Sequence, residues 1–217
     1  APSVAADGAA ATAPTQAAAN LPRCYETILT QDRLDHWLDR LRAAPLVALD
    51  TETTSLDAMT ARIVGISFAV TPGEAAYVPL AHNYGDAPEQ LPLEAVLAQM
   101  KPWLEDAAAA KVGQHIKYDT HVLANHGIAV QGYRHDTLLQ SYVLEAHLPH
   151  GLEKLAERHL GRKGLSYEDL CGKGVNQIPF AQVDITRAGE YSGEDSEMTL
   201  HVHQTLWPRV RAETGLR

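Results

Sequence analysis

From Asp32 to Arg42 the apolar residues Leu34, Trp37, Leu38 and Leu41 recur every three or four positions with Asp and Arg between them. That spacing predicts an amphipathic helix. The pattern then changes. Leu46-Val47-Ala48-Leu49 is an unbroken apolar run, and Ile63 to Val70 and Ala75 to Leu80 are two more, parted by Pro72-Gly73. These read as three strands, the last two forming a hairpin. Past Pro92 the helical period returns (Leu93, Val96, Leu97, Met100, Leu104), followed by a short strand at Lys111-Val112-Gly113 and a helix from about Tyr118 to His126. Further helical patterns run from Leu138 to Leu144, Leu152 to Leu160 and Ile185 to Val210, whereas Tyr25 to Leu29 has no period and reads as a lead-in segment. Strands first, then helix alternating with strand, predict an α/β domain with a mixed central sheet flanked by helices.

Composition narrows this picture. At 217 residues and 45% hydrophobic, the chain can bury one large core. Ten of the first twenty residues are alanine, with no basic start and no continuous apolar run, so residues 1–22 read as an Ala-rich linker and not a signal peptide, and 23–217 as the domain. No stretch reaches the roughly 18 uninterrupted apolar residues of a membrane span. Cys24 and Cys171 match no metal-ligand spacing, which suits a reduced, cytoplasmic protein. The absence of an initial Met and the helical pattern at the end suit a segment of a longer protein. A net charge of -9 argues against broad binding of duplex DNA through a basic surface, yet leaves room for a confined acidic site.

Three segments carry candidate chemistry. Asp50-Thr51-Glu52 follows the most buried-looking strand, and the two-residue period puts both carboxylates on one face. Asp119 stands near the start of a helix, where a first-turn acid is ordinary. Tyr191 and Asp195 are four apart on a helix and share a face. Taken singly, each has a plain structural reading. His201-x-His203 resembles a metal pair, but positions two apart on a helix diverge, and no glycine-rich phosphate loop is present.

In order and spacing these segments match the three motifs of the DEDDy exonucleases. With the stretches LVALDTETTSLD, KVGQHIKYD, CGKGVNQ and AGEYSGEDSEMTL, the chain from about Tyr25 to Val210 resembles the proofreading 3′→5′ exonuclease domains of family A (DNA polymerase I type) polymerases. The resemblance implies a ribonuclease H-like fold with a five-stranded mixed sheet. It implies two divalent ions, Mg2+ or Mn2+ with Zn2+ admissible at one site in vitro, held by Asp50, Glu52, Asp119 and Asp195. Tyr191 would orient the attacking water. Leu56 would wedge against the terminal base, the Thr53 backbone would meet the 3′ hydroxyl, and Tyr167 would lie against the last nucleotides. Gln114 and Tyr118 would contact phosphate or sugar. The implied partners are a single-stranded DNA 3′ end and a polymerase domain in the same chain, in a monomer. His115 departs from the family, which usually has Asn there; an imidazole can still donate to a phosphate. The basic residue that the family places before the penultimate helix has no clear counterpart in EAHLPHGLEK, which is one residue shorter, and His147 or His150 would substitute. Ribonuclease D-like RNA-processing exonucleases share the same acids, and a catalytically silent structural module is a third reading. The text between the motifs favours the polymerase family, and the presence of all five site residues speaks against silence.

Overall fold

The computed structural model describes residues 22–216, so the proposed linker, apart from Pro22, lies outside the described residues. The elements are β1 (Cys24–Thr27), α1 (Gln31–Ala43), β2 (Val47–Thr53), β3 (Ile63–Thr71), β4 (Glu74–Pro79), α2 (Leu93–Leu104), β5 (Lys111–Gly113), α3 (Ile116–Ala124), β6 (Tyr133–Asp136), α4 (Thr137–Glu145), α5 (Leu152–Leu160), α6 (Tyr167–Cys171) and α7 (Ile185–Ala212). The sheet has six strands in the order β1-β4-β3-β2-β5-β6. The β2-β3-β4 meander is antiparallel, and the pairs β1·β4, β2·β5 and β5·β6 are parallel. The mixed α/β class holds, with one strand more than five: the lead-in segment is a parallel edge strand. Its four residues are mostly half-buried and show no alternation, so no pattern marks it.

Alternation along the central strands separates two unequal faces. On one, Val47 and Leu49 of β2 and Ile66 and Phe68 of β3 pack with Trp37, Leu38 and Leu41 of α1 and Val96, Leu97 and Met100 of α2. On the other, the side chains are small: Ala48, Ala69 and Ala75 lie with Leu200 of α7, and the Ser67 and Ser196 hydroxyls are 2.6 Å apart. Gly193 of α7 passes so close to Tyr25 that a Cβ there would stand 3.1 Å from its ring. Small residues on both surfaces let α7 lie low across the sheet, and this brings its N-terminal half down to β2.

Two features open a crevice beside β2. Strands β2 and β5 pair only through Val47↔Lys111 and Ala48↔Val112, so they part just before Asp50. The β2·β3 register also shifts between Glu52 and Thr53, the kind of irregularity that re-aims side chains. Ligands of open α/β sheets collect at the carboxyl ends of parallel strands where neighbours diverge.

A buried ionic network ties β1 to α7. Arg162 reaches Glu197, Glu194 (3.3 Å) and the Tyr25 hydroxyl (3.2 Å), and Glu197 also accepts the backbone N–H of Gly73 at 3.1 Å.

Candidate active site

Asp50 and Glu52 lie inside β2 rather than after it, because the strand runs on past the apolar run to Thr53. Even parity turns both away from the Val47–Leu49 core and toward α7. Glu52 accepts a hydrogen bond from Ser192 of α7 at 2.7 Å. Asp119 is in the first turn of α3, which starts at Ile116, and accepts one from Thr51 at 2.6 Å. Tyr191 and Asp195 sit one turn apart on α7, whose start is fixed by Asp184 accepting from the N–H groups of Thr186 and Arg187.

Eleven of the residues singled out from the sequence line one cavity of about 920 Å³: Asp50, Glu52, Thr53, Leu56, Gln114, His115, Tyr118, Asp119, Tyr167, Tyr191 and Asp195, whereas His147 and His150 are not among its lining residues. Their side chains are not all free. The Gln114 amide donates to the His150 carbonyl at 2.8 Å and accepts from Thr137 at 2.5 Å. The Tyr118 and Thr53 hydroxyls bond to each other and both reach the Ser55 carbonyl, bracing the turn that carries Leu56. Leu56 is 96% exposed at the mouth. Tyr167 stacks on Phe180 at 6.5 Å, and Phe180 meets Tyr191 at 6.2 Å, giving the cavity an aromatic wall. A capping box between Ser166 and Asp169 fixes the short helix that presents Tyr167. Phe180, Thr51 and Ser192 were not singled out from the sequence; the two hydroxyls stand inside the motifs there, Thr51 between Asp50 and Glu52 and Ser192 beside Tyr191. His201 and His203 turn to Glu197 and Gln140 respectively.

The electrostatics are those of a crowded acid cluster. Burial pushes Asp50 up to about 6. Glu52 rises well above the usual carboxylate range through burial and then the charges of Asp50, Asp195 and Asp119, with Ser192 pulling the other way. Asp119 and Asp195 rise through burial and the charge of Asp50. The Tyr191 phenol rises too, through burial and then Asp195, Glu52 and Asp50. The donor set is hard oxygen, which suits Mg2+ or Mn2+. Among the described residues no three His, Cys, Asp or Glu side chains close together tightly enough to hold an ion alone. Ions here would complete their shells with water or phosphate oxygens, as Mg2+ commonly does. The donor chemistry and the uncompensated negative charge fit divalent cations.

A mixed sheet flanked by helices, with four acids in a crevice beside its centre, has the ribonuclease H-like fold. Escherichia coli RNase D, an exoribonuclease involved in structured RNA processing, superposes with a TM-score of 0.61 at 19% identity, covering 87% of this chain and 46% of that one. Brucella melitensis NrnC with bound Mg2+ does so at 0.56 and 18% identity, covering 86% and 79%. Residues 25–211 match the family described as 3′-5′ exonuclease, and the chain belongs to that family. It is 50% identical over 195 residues to DNA polymerase I of Pseudomonas aeruginosa, covering 88% of this chain and 21% of the relative. Against DNA polymerase I of Rhizobium leguminosarum the identity is 41% over 223 residues, covering 93% and 22%. The chain thus spans about a fifth of the length of these relatives.

Proposed function

We propose that this domain removes single nucleotides as 5′-monophosphates from unpaired DNA 3′ ends, and edits for a polymerase domain in the same chain. The observation that carries this reading is the convergence of Asp50, Glu52, Asp119, Asp195 and Tyr191 from three elements on one cavity. Asp50, Glu52 and Asp195 would hold one divalent ion, and Asp50 and Asp119 a second. When bound, such a pair neutralises the phosphate and stabilises both the attacking and the leaving oxygen of an in-line displacement.

The chain's own residues supply orientation and exclusion. Tyr191 stays protonated through the neutral range, because burial and three carboxylates raise its pKa, so it acts on the attacking water as a hydrogen-bonding group and not as a base. Glu52, the other group positioned for that water, can accept its proton. The bond from phosphorus to the 3′ oxygen of the penultimate nucleotide breaks as the bond to the water oxygen forms, and the released 3′ oxygen takes a proton from solvent. Leu56 at the mouth and the Tyr167–Phe180 wall would hold the terminal bases by apolar contact and stacking, which tolerates any sequence. Gln114 and Tyr118, engaged within the protein, would serve by fixing the walls, and His115 remains the exposed donor at the rim. With a charge of -9 the domain has little grip on a duplex of its own.

The test is degradation of matched 3′-labelled DNAs carrying zero to four unpaired terminal bases, with an RNA of the same sequence alongside, in Mg2+. Rates should climb with unpaired length and favour DNA. Blunt duplex cut as fast as single strand, internal cleavage, or a preference for RNA would overturn the reading.

A further inference from the structure

His115 is the only residue other than glycine with positive φ among the described residues, at φ 64° and ψ 49°. Side chains bearing a Cβ enter this left-handed region reluctantly, Asn, Asp and His least so. Something must hold the chain there. The His115 N–H donates to Oδ1 of Asp136 and the Ile116 N–H to Oδ2, each at 3.1 Å. Asp136 Oδ1 also accepts the Leu138 N–H at 2.9 Å and so caps α4. Asp136 is 7% exposed and stands at the end of β6, beside Gly113 in the parallel ladder. One side chain therefore joins the last strand of the sheet to the starts of two helices. The first of these, α3, carries Asp119 in its opening turn.

On the functional reading above, we infer that Asp136 is a positioning residue for the nuclease site. By gripping two consecutive N–H groups it fixes the left-handed turn at His115, and that turn aims α3 so that Asp119 reaches Thr51 and the cavity. The identity of residue 115 then answers first to its backbone. His and the family's Asn are both tolerant of positive φ, so one can replace the other without moving Asp119. A carboxylate is needed at 136 because two oxygens must both accept; an amide has one acceptor oxygen and turns an N–H2 toward one of the backbone donors.

The experiment measures Mn2+ binding directly, by titration followed with electron paramagnetic resonance, on the substrate-free protein. Folding of each variant is checked first by circular dichroism. Asp136→Asn should weaken the Mn2+ site that depends on Asp119 by roughly 10- to 100-fold, as loss of ligand-orienting partners does elsewhere, and leave the other site within a factor of about two. His115→Gly should bind Mn2+ as the unaltered protein does, and His115→Val, β-branched and averse to positive φ, should lose affinity as Asp136→Asn does. Unchanged binding in both Asp136→Asn and His115→Val would overturn the inference while leaving the nuclease reading intact. Should Asp136→Asn fail to fold, the His115 pair decides, since equal binding by the Gly and Val variants overturns it alone. No Mn2+ binding by the unaltered protein, together with no cleavage of single-stranded DNA, would overturn both.

Discussion

The acid cluster should make the metal-free protein less stable than its neutralised variants, and Asp50→Asn is the sharpest case. Burial raises the Asp50 carboxyl from 3.8 to about 6, so the folded state holds its proton where the unfolded chain has released it. The sign follows. Below about pH 4 both states are protonated and there is no penalty; between pH 4 and 6 folded stability is lost, and above pH 6 the loss is complete. At 1.36 kcal/mol per pH unit the penalty is roughly 3 kcal/mol, trimmed by solvent at the cavity mouth. A chain of this size gains about 2–4 °C in Tm per kcal/mol, so removing the charge should raise Tm by somewhat under about 10 °C at pH 8. The assay is thermal unfolding of both proteins in EDTA across pH 4 to 8. The two curves should meet near pH 4 and diverge above it, and Mg2+ should stabilise the unaltered protein more than Asp50→Asn. Equal stability at pH 8 in EDTA, or a gain of the same size at pH 4, would refute the reasoning.

Other consequences can be checked as directly. Asp195→Ala should cut cleavage of labelled single-stranded DNA by several orders of magnitude with the fold intact, whereas Tyr191→Phe, which removes only an orienting hydroxyl, should cost less; the reverse order would give Tyr191 a larger role. Arg162→Met should destabilise by roughly 3–5 kcal/mol in urea, because Glu197 would stay buried without a guanidinium and Glu194 would keep only that of the half-exposed Arg23, and a stability unchanged from the parent would discount that network. Burial works against ionised Glu197, but hydrogen bonds from His201 and Arg162 bring it down to about 2. Its contribution should therefore hold above pH 4.5 and fade as pH drops toward 2, and a loss starting at neutral pH would contradict it.

The helices and the site differed in how openly the sequence displayed them. Trp37, Leu38 and Leu41 announced α1 by spacing alone, and the long pattern from Ile185 to Val210 ends within two residues of α7. The site acids were legible because motif order and spacing survive without any knowledge of contacts. Strands β1 and β6 left no such mark. Each is four residues long, and Tyr133-Arg134-His135-Asp136 mixes exposed and buried positions without alternation. Their pairing comes from neighbours far away in sequence. The same distance hid Asp136, whose work is done on N–H groups twenty residues earlier, and the engagement of Gln114 with His150. The sequence shows the His115 side chain and conceals its left-handed backbone.

The parallel edge strand at the start of the described chain bears on how far the domain can be shortened. Its Cys24 and Ile28 N–H groups bond to the carbonyls of Gly73 and Tyr77, covering the flank of β4. A version beginning at Gln31 would keep every residue of the cleft and still bare that flank, where Ala75, Ala76, Tyr77 and Val78 form an apolar run. An uncovered apolar edge is a template for pairing with a second molecule. Such a trimmed protein should precipitate or associate at concentrations where the longer one stays dispersed, and equal dispersal of the two would discount this role of β1.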